Sequence, residues 1–222
     1  MTHPTSSAAA DLLSFIDASP SPYHAVAAAV ARLDAAGYDA APGTPTPGQL
    51  PRRGYLADGG LLIAWDVADA ALPWRIIGAH TDSPNLRIKP RPDLGGSGMR
   101  RLAAEPYGGA LLNSWLDRDL GLSGRGAVRE SDGTFGERRF RDDRPLLRVP
   151  QLAIHLDREI STTGLLLNKQ QHLNPVWGLG TPVEGEFSAW LADAVGVVAT
   201  DVLAWDVMCH DTQPSGFLGI EE

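Results

Sequence analysis

The sequence predicts an α/β fold built in two parts, a helix-led front piece and a longer, mainly β region, and three patterns predict it. Two helical periods open the chain, apolar runs bounded by glycine and proline follow, and beyond Pro84 short strand-like segments alternate with glycine and charged turns. Residues 8–18 and 23–36 place Leu12, Phe15 and Ile16, then Val26, Val30 and Leu33, at helical spacing. Ser19, Pro20, Ser21 and Pro22 break the two helices apart, Gly37 stands where the second helix needs a C-cap, and the prolines of residues 41–51 mark an exposed loop. Residues 61–67 and 74–79 are expected to be neighbouring strands of one sheet. Residues 120–128, 134–140 and 146–149 read as further strands, with Asp132-Gly133 as a hairpin turn. Residues 188–195 read as a short helix. Residues 201–209 read as a strand with Val202, Ala204, Asp206 and Met208 on one face and Leu203, Trp205, Val207 and Cys209 on the other.

Composition narrows the function classes. The chain has 222 residues, 43% of them hydrophobic, enough for a sizeable core. Its net charge of −8 argues against a nucleic-acid partner, which calls for a basic patch. A single cysteine, Cys209, cannot form an internal disulfide, no apolar run reaches spanning length, and no signal-peptide pattern opens the chain. These features point to a cytoplasmic protein with no membrane partner. No phosphate loop, nucleophile elbow or dinucleotide fingerprint is present.

The densest chemistry lies at His80-Thr-Asp82, where the apolar run of residues 74–79 delivers a histidine and an aspartate to a turn. A neutral imidazole is a good zinc ligand, and a nearby carboxylate can take its second ring N–H, fixing tautomer and orientation; Asp82 is the candidate for that role. A histidine at a strand end also serves ordinary structure, so the pair alone leaves both readings open. His155, between Ile154 and Leu156, has an apolar setting whose plain reading is a satisfied core histidine. His24 orders a helix start, and His172 and His210 lack a neighbouring ligand pattern. Cys209, His210 and Asp211 cannot act as a triad, because consecutive residues on a strand point to opposite faces.

Six segments in order carry a family resemblance: Ser19-Pro-Ser-Pro-Tyr-His-Ala-Val26, Gly78-Ala-His80-Thr-Asp82-Ser-Pro84-Asn-Leu-Arg-Ile-Lys-Pro90, the stretch 107–125 with Leu116-Asp117-Arg118-Asp119, the stretch 150–158 with His155, Leu167-Asn-Lys-Gln-Gln-His172-Leu-Asn-Pro175, and Asp211-Thr-Gln-Pro214. Together they make the chain resemble the aspartyl aminopeptidase family of zinc metallopeptidases. The resemblance implies the N-terminal part of an α/β catalytic domain at 1–85, an inserted, mainly β dimerisation domain at 86–215, and a return to the catalytic domain at 216–222.

The implied activity is release of an N-terminal acidic residue from peptide substrates at a two-zinc site, by a homo-oligomer built from dimers. His plus carboxylates would also accept manganese or cobalt. His80 is implied as a zinc ligand and Asp82 as the group orienting it. His155 is implied either to hold the substrate oxyanion from a neighbouring subunit or to bind metal. The family's bridging aspartate, in a Pro-Arg-Leu-Asp-Asn motif, and its later catalytic Glu-Glu pair have no counterpart in these 222 residues, and Glu221-Glu222 precede that point. The chain is therefore expected to be an inactive fragment by itself. The alternative is a non-catalytic oligomerisation protein that keeps the dimerisation domain.

Overall fold

A computed structural model of the chain describes residues 7–43, 48, 50–67, 69 and 73–219. Two compact units emerge, Met1–Ser83 with Ser215–Glu222, and Pro84–Pro214.

In the first unit, α1 (Ser7–Asp17) and α2 (Pro22–Ala35) form where the helical spacing places them. Ser21 is the N-cap of α2. Its hydroxyl accepts the backbone N–H of His24 and lies 2.7 Å from the His24 ring, while Pro22 occupies the first turn, where a missing N–H costs nothing. His24 thus belongs to the cap. Gly37, at φ +76°, ends the helix with its N–H on the Asp34 carbonyl. A three-stranded sheet follows: β1 (Asp39–Ala40) runs parallel to β2 (Arg53–Asp58), which pairs antiparallel with β3 (Leu61–Asp66). Of the loop expected at residues 41–51, positions 44–47 and 49 lie outside the described residues.

The strand expected at residues 74–79 does not form, and the partner of β3 is β2. The apolar run instead stands off from β3 across an open groove of about 720 Å³, with Ile76 89% and Ile77 95% exposed. A strand needs a neighbour for its N–H and C=O groups, and sequence propensity cannot supply one.

The second unit contains β4 (Asn85–Gly96), β5 (Met99–Tyr107), β6 (Leu120–Arg129), β7 (Phe135–Leu147), α3 (Ile160–Thr163), β8 (Val176–Leu179), α4 (Glu186–Val195) and β9 (Val202–Asp211). The six described strands form one antiparallel sheet in the order β7-β6-β9-β4-β5-β8. The sheet curls until its edges meet: Arg148, just past β7, and Val176, the first residue of β8, exchange backbone hydrogen bonds of 2.8 and 3.0 Å. At Gly124 a side chain would press to 2.2 Å from the Asp206 carbonyl, so glycine lets β6 and β9 approach closely here.

Leu86, Leu102, Leu120, Leu122 and Val207 line the inside of the curl, and α4 packs Phe187 and Leu191 against them. The Phe187 ring centroid lies 5.2–6.1 Å from those of Trp177, Trp190 and Trp205. Asp93 anchors the helix start, its carboxylate accepting the N–H groups of Gly185 and Phe187 at 2.9 and 3.1 Å.

Sequence spacing missed β1, β2, β4, β5 and β8. Pro90 and Pro92 disguise β4, whose register shifts between Ile88 and Asp93 to absorb them. Residues 135–140 and 146–147, from segments read as two strands, belong to one strand, β7, and its Pro145 is tolerated because β7 lies at the sheet edge. No helix among the described residues is long and apolar enough to cross a membrane.

Phe187→Ala should destabilise the second unit by about 3–5 kcal/mol, the usual loss for emptying a fully buried aromatic site. Urea unfolding followed by tryptophan fluorescence measures it; a loss under about 1 kcal/mol would contradict the central packing role of this ring.

Candidate functional site

His80 lies in the irregular segment after residues 74–79, with its side chain 79% exposed. The next residue pins it: the Thr81 hydroxyl donates to the Gly60 carbonyl at 2.6 Å, tying the turn to the β2–β3 hairpin. His80 Nδ1 lies 2.6 Å from the backbone carbonyl of Asp82 and 3.4 Å from its carboxylate. A carbonyl only accepts, so Nδ1 carries a proton, and in the neutral ring Nε2 is the atom with the lone pair. Asp82 therefore orients the ring chiefly through its backbone, with the carboxylate as the farther partner.

His155 departs from its plain reading as a core residue. It is exposed on a turn closed by the Leu156 N–H on the Ala153 carbonyl, and Leu152, Ile154 and Leu156 around it are exposed as well. Apolar neighbours in sequence suggested burial, but no element of this chain covers the segment among the described residues. The turn belongs to a long excursion between the paired Arg148 and Val176.

The returning arm of the excursion is tied to the sheet. The Asn174 side chain accepts the Ala104 N–H at 3.1 Å and donates to the Gln170 carbonyl at 2.8 Å, and Leu173 is fully buried. Gln170 donates to Glu105 at 2.9 Å, and this bond together with Lys89 holds the Glu105 carboxyl below its ordinary range. His172 Nδ1 accepts the Asn168 N–H at 3.0 Å, a structural use. Under the excursion lies a cavity of about 250 Å³, lined by Leu116, Leu152, Leu165, Leu167, His172 and others.

Asp117, Arg118 and Asp119 also act in structure. Arg118 pairs with Asp211 and Arg148 with Asp119, while Thr212 donates twice to the Asp119 carbonyl. This network joins two of the sequence motifs to each other.

Cys209 and His210 point to opposite faces, as strand geometry requires. Cys209 joins the apolar core, where burial pushes its thiol up to about 12. His210 is 8% exposed and sets Nε2 3.0 Å from Asp143. Its Nδ1 has no hydrogen-bond partner among the described residues. Burial lowers the His210 pKa despite the attraction of Asp143, since protonation would place an unsatisfied N–H at Nδ1.

Among the described residues, no group of three or more histidine, cysteine, aspartate or glutamate side chains could hold a metal ion. A hydrolytic zinc takes three protein ligands and an open position, so the donor set around His80 falls short of a complete site.

Comparison with known proteins gives these groups a context. The family description "Aminopeptidase I zinc metalloprotease (M18)" matches residues 15–222. The chain belongs to the M18 family of zinc aminopeptidases. It is 53% identical over 214 residues to the probable M18 family aminopeptidase 2 of Streptomyces coelicolor, covering 94% of this chain and 48% of that protein. Against the protein of the same name in Mycobacterium leprae it is 47% identical, covering 96% and 50%.

The solved structure of the Ape4 and Nbr1 complex contains a chain that matches 100% of this one over 48% of its own length, with TM-score 0.83 and 28% identity. The S. cerevisiae mApe1 dodecamer shares the fold, with TM-score 0.76, 22% identity, and coverage of 98% and 51%. The chain thus spans about half the length of the M18 aminopeptidases it matches, and its described residues lack the metal cluster that zinc hydrolysis needs.

The spacing of His80 and Asp82 was legible, whereas the Thr81–Gly60 tie and the contacts of Asn174 were not, since each joins positions far apart in sequence. The signal for Asn174 lay in its motif alone.

Two measurements test these assignments. Nitrogen-15 spectra of the His80 ring at pH above 7.5 should show Nδ1 protonated and Nε2 bare; the opposite tautomer would break the orientation by Asp82. Stability should also fall as pH drops below about 6.5. The sign follows from the lowered native pKa of His210: the unfolded chain takes up the proton first, so stability is complete above the unfolded value and is lost as pH falls through the native one. Asp143 adds loss only in more acid solution. Burial raises its carboxyl, but Arg141 and His210 bring it below 3.8. Urea titrations between pH 7.5 and 4.5 should show a slope that His210→Gln flattens.

Proposed function

We propose that this chain is one half of an aminopeptidase that releases N-terminal, preferentially acidic, residues from peptides at a two-zinc site, and that it is inactive until further polypeptide completes that site. The observation that carries the reading is the M18 match along residues 15–222 at about half the relatives' length. In this reading His80 offers the bare Nε2 to a zinc ion, Asp82 holds the ring through its carbonyl, and Thr81 fixes the turn. Zinc would supply the acidity that makes a water nucleophilic near neutral pH. The exposed Ile76–Ile77 run supports the same reading, as an apolar strand-like segment that has no covering neighbour among the described residues and that further polypeptide could cover.

His155 would act from the second unit, across a subunit interface in a homo-oligomer built from dimers. There its ring would donate to the substrate carbonyl oxygen as negative charge develops, and its exposure on a turn suits that reach. The dodecamer formed by the mApe1 relative supports an assembly of this kind. Residues 86–215 would then be the dimerisation domain, and the cytoplasm is the compartment that the lone buried cysteine suits best.

A non-catalytic oligomerisation role is the second reading, favoured by the self-contained core of the Pro84–Pro214 unit.

The test is reconstitution. Residues 1–222 are co-expressed with the C-terminal half of the Streptomyces coelicolor relative, and hydrolysis of Asp-, Glu- and Leu-led chromogenic substrates is followed with zinc. The chain by itself should show no zinc-dependent turnover. The reconstituted pair should favour acidic substrates and lose at least about a hundredfold in kcat/KM on His80→Ala, since a metal ligand is removed. Turnover by 1–222 alone that His80→Ala abolishes would sink the inactive-half reading. A defined oligomer that never gains activity would favour the non-catalytic one.

A further inference from the structure

The excursion that carries His155 leaves the sheet at Arg148, and the residues just beyond, Val149 and Gln151, are both held by Asp117. Asp117 is one of two described non-glycine residues with positive φ, at +55°. In that conformation its backbone N–H donates to the Val149 carbonyl at 2.9 Å, and its carboxylate accepts the Gln151 N–H at 3.1 Å. Pro150, between them, has no N–H to give. Leu116 and Val149 pair as a parallel bridge, and Val149 is fully buried. The next anchored point back along the chain is Arg148, on Asp119 and Val176. From residue 152 to 158 the chain is exposed or half-buried, with only local turn bonds around His155.

We propose that Asp117 is a positioning residue for His155: it grips the outgoing arm on both sides of Pro150 and so sets the direction in which the histidine-bearing turn projects. The inference rests on the reading of His155 as a substrate-binding group. Two properties of this residue are needed at once, tolerance of the left-handed region and a side-chain oxygen on a short arm that reaches a nearby backbone N–H. Aspartate and asparagine combine them, glycine has only the first, and alanine has neither. That difference separates a grip from a turn that merely requires positive φ.

The experiment uses the 222-residue chain and three variants, Asp117→Asn, Asp117→Gly and Asp117→Ala, followed by amide hydrogen exchange and by the His155 ring signals in proton–carbon spectra. Asp117→Gly should speed exchange at Gln151 by at least about tenfold and shift or broaden the His155 signals. Amides of β6 and β9 and the His210 signals should stay unchanged. Asp117→Asn should restore both readouts to within about twofold of the parent. If the glycine variant exchanges like the parent, or the asparagine variant like the glycine one, the assignment of Asp117 is overturned. Should Asp117→Ala or Asp117→Gly fail to fold, the asparagine variant still decides, because loss of the Gln151 protection there contradicts the proposal.

The reconstituted enzyme separates this inference from the reading beneath it. Unchanged kcat/KM in His155→Ala removes the catalytic role of His155 and overturns the proposal at its base. A loss there, with Asp117→Gly unchanged in exchange, overturns Asp117 alone. The supporting result is a loss of kcat in Asp117→Gly, rescued in Asp117→Asn.

Discussion

The mutual backbone hydrogen bonds between Arg148 and Val176 are the contact on which the second unit depends. They join the two edges of a six-stranded sheet that would otherwise end in open ladders, and edge strands left open invite pairing with other chains. Closing the curl also creates an inside, which Phe187 and Leu191 of α4 fill. Asp93 directs that helix by accepting N–H groups at its start, so a carboxylate on β4 decides where the largest buried ring sits.

The same contact defines the base of the histidine-bearing excursion. Every residue between Arg148 and Val176 is outside the six-stranded ladder, yet the arms are not loose. Asp117 and Asp119 hold the outgoing arm, and Asn174, Gln170 and Leu173 hold the returning one. Between the anchored arms, the turn around His155 and the α3 segment after it stand in solvent. A rigid base with an exposed, apolar-flanked tip is the arrangement by which a scaffold presents a group to another surface. The motifs that carry the family resemblance in this unit are largely the anchors of the excursion and not reacting groups.

The first unit contrasts with the second. Its helices and the β2–β3 hairpin form, but the apolar residues Ile76 and Ile77 meet nothing among the described residues that covers them. His80 follows that stretch directly, oriented by its own turn and pinned at Thr81. One well-aimed imidazole with no cluster of further donors among the described residues is consistent with a chain that spans about half of its M18 relatives.

The sequence by itself determined the local features: both opening helices with the glycine stop at Gly37 after the second, the hairpin at Asp132-Gly133, the α4 helix, and the opposite facing of Cys209 and His210. Each follows from spacing or backbone preference over a few residues, which is the range that sequence pattern covers. It also carried the family through ordered motifs. Only the tertiary structure decided that residues 74–79 stay unpaired, that Pro90 and Pro92 lie within a strand, that His155 is exposed, and that Asp117 grips Gln151. These depend on which distant segment supplies a hydrogen-bond partner or a covering surface. No local pattern encodes that choice, because the partner's identity is settled by the closure of the whole sheet.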